Sequence, residues 1–144
     1  MDVGSFVAAL IVSLVTALTA VWFGHWLGKR DVKKAFIWEL QVNMKVIRKL
    51  RDRFATGKIK ASYPILYTAA YEDMRRKGIF YKLPKDLQTQ IVEVYSSITG
   101  FNELSRASTY GLLELKPERA ALQLTLTFGQ MHSILQRLRK LWKL

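Results

Sequence analysis

The chain has 144 residues, of which 50% are hydrophobic and 24% charged, with no cysteine and a net charge of +12. That length suits one modest domain, the apolar share argues against long disorder, and the lack of cysteine excludes a disulfide framework, a thiolate nucleophile and a thiolate zinc site. Residues 29–60 carry eleven Lys/Arg against Asp31, Glu39 and Asp52, so eight of the twelve excess charges lie in this one segment.

In chain order, the first feature is Val3 to Leu27, about 25 residues without Asp, Glu, Lys or Arg. Roughly 20 apolar residues suffice to cross a bilayer core as a helix. The stretch has neither the basic start nor the small-residue end of a cleaved signal, and a basic run follows it at once. The reading is a single-pass anchor over residues 1–28, followed by a cytoplasmic helical domain over 29–144, with the N-terminus outside by the positive-inside rule. Trp22 and Trp26, then Lys29, Arg30, Lys33 and Lys34, are the expected anchors at the inner interface. His25, between the tryptophans, is expected to hydrogen-bond to water or headgroups.

Small residues recur every four positions within this span: Ser5, Ala9, Ser13 and Ala17 in one row, and Thr16, Ala20, Gly24 and Gly28 in the next. Such rows let helix backbones approach closely in lipid, so they are the predicted helix–helix interface.

From Asp31 the pattern becomes amphipathic. Phe36, Leu40, Asn43, Ile47, Leu50 and Phe54 step by four and three, a heptad-like seam. Lys34, Lys45, Arg48, Lys49, Arg51 and Arg53 fall on the opposite side, and the last five are the candidate contacts for an anionic partner. Gly28 alone interrupts the anchor and this helix, so the two are read as one rod. Asn43 either fixes register or hydrogen-bonds across the bundle, and the second reading is preferred.

A third helix is predicted to start near Ser62 with Pro64 in its first turn, burying Tyr63, Leu66, Tyr67, Ala70 and Met74 and stopping at Gly78. Pro84 opens a fourth, with Leu87, Ile91, Val94, Ile98 and Phe101 inward. Pro117 starts the last, with Leu124, Phe128, Met131, Leu135, Leu138 and Trp142 as its buried row. LQLTLTF alternates like a strand, but the helical period around it is longer. The RLRKLWKL end suits a membrane-surface helix or a bundle helix, and the continuous apolar row favours the bundle.

Trp38-Glu39-Leu40, Asn43, Ala70, Gly78, Leu83-Pro84, Leu87, Ile91, Tyr95, Ile98 and Asn102, behind an anchor, resemble a pattern in small single-pass membrane proteins of unknown function from bacteria, archaea and their viruses. The resemblance covers residues 1 to 105 and implies a membrane-tethered helical domain without implying an activity.

No phosphate-cradling glycine loop, metal-ligand set or catalytic triad occurs in the sequence. His132 is expected as a hydrogen-bonded core residue. Tyr63, Tyr67, Tyr71 and Tyr81 are read as core or capping residues and not as a stacking platform for nucleic acid. The fold expected is all-α, a transmembrane helix continuing into a bundle of about four helices. The function expected is non-enzymatic and without cofactor: a subunit that self-associates or docks on a larger membrane complex. The alternative is an electrostatic tether of nucleic acid or anionic lipid at the membrane surface.

Overall fold

A computed structural model of the chain describes the backbone of residues 3–56, 64–110 and 117–143; the side chains of 3–14, 23, 25–27, 109 and 117 lie outside that description. All of the described secondary structure is helical. Helix α1 spans Val3–Ala55, α2 Ala69–Arg76, α3 Lys85–Thr109 and α4 Pro117–Trp142, with a short 3-10 turn at Phe80–Lys82.

α1 is a single helix of 53 residues, roughly 80 Å at helical rise. The one-rod expectation holds, and Gly28 lies inside it. The two halves have different surroundings. From Val32 onward the predicted seam is buried: Phe36, Leu40, Asn43 and Ile47 have no exposed surface, while Leu50 and Phe54 have almost none. In the first half Val15, Leu18, Val21 and Trp22 are 56–72% exposed, and no described part of the chain covers them. Among the described residues, no helix is long and apolar enough to cross a membrane. The transmembrane span expected from Val3 to Leu27 therefore finds no support in the described helices; the backbone of this stretch is helical, and the side chains of 3–14, 23 and 25–27 lie outside the description.

The C-terminal half of α1, α3 and α4 form the bundle. Phe36 meets Trp142 while Arg48 and Arg51 lie over Phe128, so α4 runs antiparallel to α1. Gln123 meets Ser97 and Arg137 meets Gln90, so α4 also runs antiparallel to α3. The predicted inward rows of α3 and α4 are buried, apart from Phe128 and Trp142, which are half-buried against the core. The LQLTLTF stretch is helical.

The predicted third helix needs correction. Residues 64–68 are not helical, and α2 begins only at Ala69. Ile65, Tyr67 and Thr68 favour extended backbone, and a proline disfavours helix in the residue before it. Packing then fixes the choice. In an extended chain each residue's N–H and C=O point to one side, and the next residue's point to the other. Leu66 faces Asn102 of α3, whose Oδ1 accepts from Leu66 N at 2.8 Å and whose Nδ2 donates to Leu66 O at 2.9 Å. Tyr67 faces Asn43 of α1, which makes the same pair of bonds at 2.8 Å each. Two asparagine amides thus replace the neighbouring strands of a sheet. Asn43 bonds across the bundle, as preferred from the sequence.

One turn before Asn43, Glu39 is 2% exposed and caps α2 from outside. Its Oε2 accepts from Ala70 N at 2.6 Å, and its Oε1 from Tyr71 N at 3.2 Å and from the Tyr95 hydroxyl at 2.7 Å. Thr68, at the N-cap position, makes no side-chain cap bond, so Glu39 supplies what the local sequence does not. Among the described residues no buried side-chain polar atom lacks a partner. Gly78, at φ +71°, ends α2 as expected, with Ile79 N bonded to Met74 O and Gly78 N to Arg75 O. This is a Schellman closure, and Met74 and Ile79 both enter the core.

Tyr71 is buried, stacked on Tyr95 with centroids 4.1 Å apart, whereas Tyr67 and Tyr81 are more than half exposed. The burial expected for Tyr67 is corrected accordingly, because pairing its backbone with Asn43 leaves its ring outside; Tyr81 sets its exposed ring edge-on to the buried Phe80, centroids 5.3 Å apart, over the margin of the core. Tyr63 lies outside the described residues.

Replacing Asn43 or Asn102 with Ala strands a backbone N–H and C=O, at about 1–3 kcal/mol for each unsatisfied group. Either variant should clearly lower the thermal unfolding midpoint of the purified chain, and Asn→Asp should lower it at least as far, because it buries a carboxylate against the carbonyl that the amide N–H had satisfied. Burial and the Glu39 charge push the Tyr95 hydroxyl well above its ordinary pKa. The folded state therefore holds that proton more tightly than the unfolded chain. The resulting stabilisation is complete below about pH 10 and is lost as pH rises beyond it. Unfolding followed from pH 8 upward should show an alkaline decline that is shallower in Tyr95→Phe.

Candidate binding site at the basic end of the bundle

Three segments of the chain meet at one end of the bundle: the turn of α1 just after the uncharged stretch, the link from α2 into α3, and the end of α4. They border a half-open cavity of about 520 Å³ lined by Lys29, Arg30, Lys33, Ile79, Lys82, Leu83, Leu141, Trp142 and Lys143. Five of these nine residues are cationic, and none is Asp or Glu. Ile79 and Leu83 form a buried apolar floor. Trp142 is the wall, set edge-on to Phe36 with centroids 6.4 Å apart and with Lys33 Nζ 5.4 Å from its ring centre. The volume falls within the usual span of small-molecule sites.

The convergence follows from local choices already described. Lys29 and Lys33 are four apart on α1, hence one above the other on one face. Lys82 closes the 3-10 turn, which the Gly78 closure and the buried Phe80 aim back toward α1. The apolar row of α4 ends in Leu138 and Trp142, so Leu141 and Lys143 flank the end of the seam. The α3 N-terminus and the α4 C-terminus both lie next to the cavity. Their dipole charges, of opposite sign and about half a unit each, nearly cancel and leave the side-chain cations dominant. Asp86, in the first turn of α3, pairs with Arg137, whose guanidinium holds its carboxyl below the ordinary range.

The residues predicted to anchor the chain at a membrane interface are thus split. Lys29, Arg30 and Lys33 line the cavity, Lys34 is exposed beside it, Trp22 is exposed, and the Trp26 side chain lies outside the described residues. Of the predicted helix–helix interface, Thr16, Ala17, Ala20 and Gly24 are exposed, Gly28 is half-buried, and the side chains of Ser5, Ala9 and Ser13 lie outside the description. Of the candidate anionic-partner contacts, Lys45, Arg48, Lys49 and Arg53 are exposed and Arg51 is half-buried. Arg48 and Arg51 lie over the Phe128 ring at 5.7 and 6.0 Å, covering the α1–α4 seam. His132 is exposed and bonds to Gln136 one turn away, which corrects its placement in the core. The His25 side chain lies outside the described residues. Among those residues, no group of His, Asp and Glu is placed to hold a metal ion.

Sequence reasoning did not single out Lys82, and it met Lys143 only as part of the RLRKLWKL tail. A basic residue just before a helix-opening proline is an ordinary surface feature until the fold brings it to α1. No protein-family model, curated protein or solved structure matches the chain.

Because Trp142 joins the cavity wall to Phe36 in the core, Trp142→Ala should destabilise the chain by about 1–2 kcal/mol, less than for a fully buried ring. Trp142→Phe should restore most of it, as read by thermal unfolding.

Proposed function

We propose that this protein is a single-pass membrane protein in which the Val3–Leu27 stretch inserts with the N-terminus outside. Its bundle then stands on the inner face as a non-enzymatic interaction module that self-associates or docks on a larger membrane complex. The observation that carries the reading is the contrast within α1. One unbroken helix is sealed into a core from Val32 onward, yet it exposes Val15, Leu18, Val21 and Trp22 where no described part of the chain covers them. Four large apolar side chains exposed within little more than two turns are stable beside lipid or another helix and unfavourable in water. The uncharged composition of the surrounding sequence and the basic turn that follows it agree with a membrane setting.

The small-residue rows are the proposed contact between copies or with a partner helix. Ala20 and Gly24 are exposed, and a Cβ built on Gly24 meets nothing within 4 Å. Larger side chains there leave the chain's own packing untouched, so they report on contacts between chains alone. On blue native gels in mild detergent the wild type should run as an assembly. Ala20→Leu with Gly24→Leu should shift it toward the monomer while membrane insertion and thermal unfolding of the bundle stay unchanged. A wild type that runs strictly as a monomer, or a variant of unchanged complex size, overturns the proposal.

A further inference from the structure

We propose that the basic cavity is a binding site for the phosphate headgroup of an anionic phospholipid, drawn from the leaflet on which the bundle stands. The assignment rests on the membrane-anchored reading for the source of the ligand, and on the cavity itself for its chemistry. Lys29, Lys33, Lys82 and Lys143 come from three separate segments and face one half-open cavity with Arg30 and, among the described residues, without a lining Asp or Glu. Like charges facing one cavity repel one another, and an anion seated among them offsets that repulsion. The lining is also apolar: Ile79, Leu83, Leu141 and Trp142 offer surface to glycerol and the first acyl carbons, which inorganic phosphate would leave unused.

Position argues the same way. Lys29 follows the uncharged stretch by two residues, so in an inserted chain the cavity opens at headgroup depth, where juxtamembrane basic residues meet anionic lipid. Nucleic acid fits less well. The cavity is compact, and Trp142, the one aromatic ring that lines it among the described residues, is already engaged by Phe36 and Lys33.

The test uses the full chain in neutral detergent, analysed by native mass spectrometry against dioleoyl phosphatidylglycerol, dioleoyl phosphatidylcholine and glycerol phosphate. The wild type should retain one phosphatidylglycerol in preference to phosphatidylcholine. Lys82→Ala with Lys143→Ala removes two exposed cations of the site and should weaken that retention about tenfold. Arg106→Ala with Arg119→Ala changes the net charge equally from exposed positions elsewhere on α3 and α4, and it should leave retention unchanged. Equal weakening by both pairs, or equal retention of both lipids, overturns the site. Displacement of the lipid by an equal concentration of glycerol phosphate overturns the lipid source in favour of a soluble phosphate. Carbonate extraction of membranes carrying the wild type reads the anchor separately. Release of the chain would overturn the anchored reading while the binding measurement still stands or falls on its own.

Discussion

The position of nearly everything outside the three long helices depends on one constraint: the backbone of Leu66 and Tyr67 is held from both sides by side-chain amides. An extended segment inserted between two helices presents N–H and C=O groups to surfaces that have already satisfied their own backbones. Asn102 and Asn43 resolve this by offering one donor and one acceptor each, matched to a single residue of the inserted strand. Glu39 continues the same ladder by taking the first free N–H groups of α2, and Tyr95 closes it from α3. Without the ladder, α2 would lack its cap, and the Ile79–Leu83 link would have no fixed route back to α1. The cavity at the basic end is therefore a consequence of polar contacts more than ten ångströms of helix away, since Asn43 lies ten residues beyond Lys33 on α1.

The sequence was informative where structure repeats and silent where it does not. Phe36 through Phe54, Leu87 through Phe101 and Leu124 through Leu138 announce themselves by spacing, because a helix buries every third or fourth residue whatever it packs against. Glu39 gave no such sign. Counted only as one of three acids opposing a basic segment, it is in fact buried and triply hydrogen-bonded. A carboxylate that caps a helix 30 residues away carries no local signature, and neither does an asparagine that imitates a strand. Pro64 misled for a related reason: proline suits a helix's first turn and an extended segment equally, and tertiary contacts decided between them.

The basic surface divides in a way that net charge alone does not reveal. Arg48 and Arg51 lie on an aromatic ring, where a guanidinium covers apolar surface as well as carrying charge. Lys45, Lys49 and Arg53 point to solvent and contribute a diffuse field that falls off over about 8 Å at physiological salt. The five cations at the cavity are the part of the excess charge that the fold concentrates. A chain of +12 can attract many anions, and the cavity is where its cations converge beside apolar surface.

The unbroken α1 ties these levels together. A flexible linker between an anchor and a soluble domain would let the domain tumble, and a cavity on it would meet the bilayer at no fixed height or angle. Here residues 27–33 are one stretch of helix, and the seam that buries Val32 and Phe36 begins within two turns of the uncharged span. The core therefore fixes both the height of Lys29 and Lys33 and the side of α1 on which Lys82 and Lys143 join them. In an inserted chain, a helix contact made in the membrane would set the rotation of the bundle, and with it the direction in which the cavity opens. Assembly and headgroup binding, argued from opposite halves of α1, then become coupled through a helix that has no hinge between them.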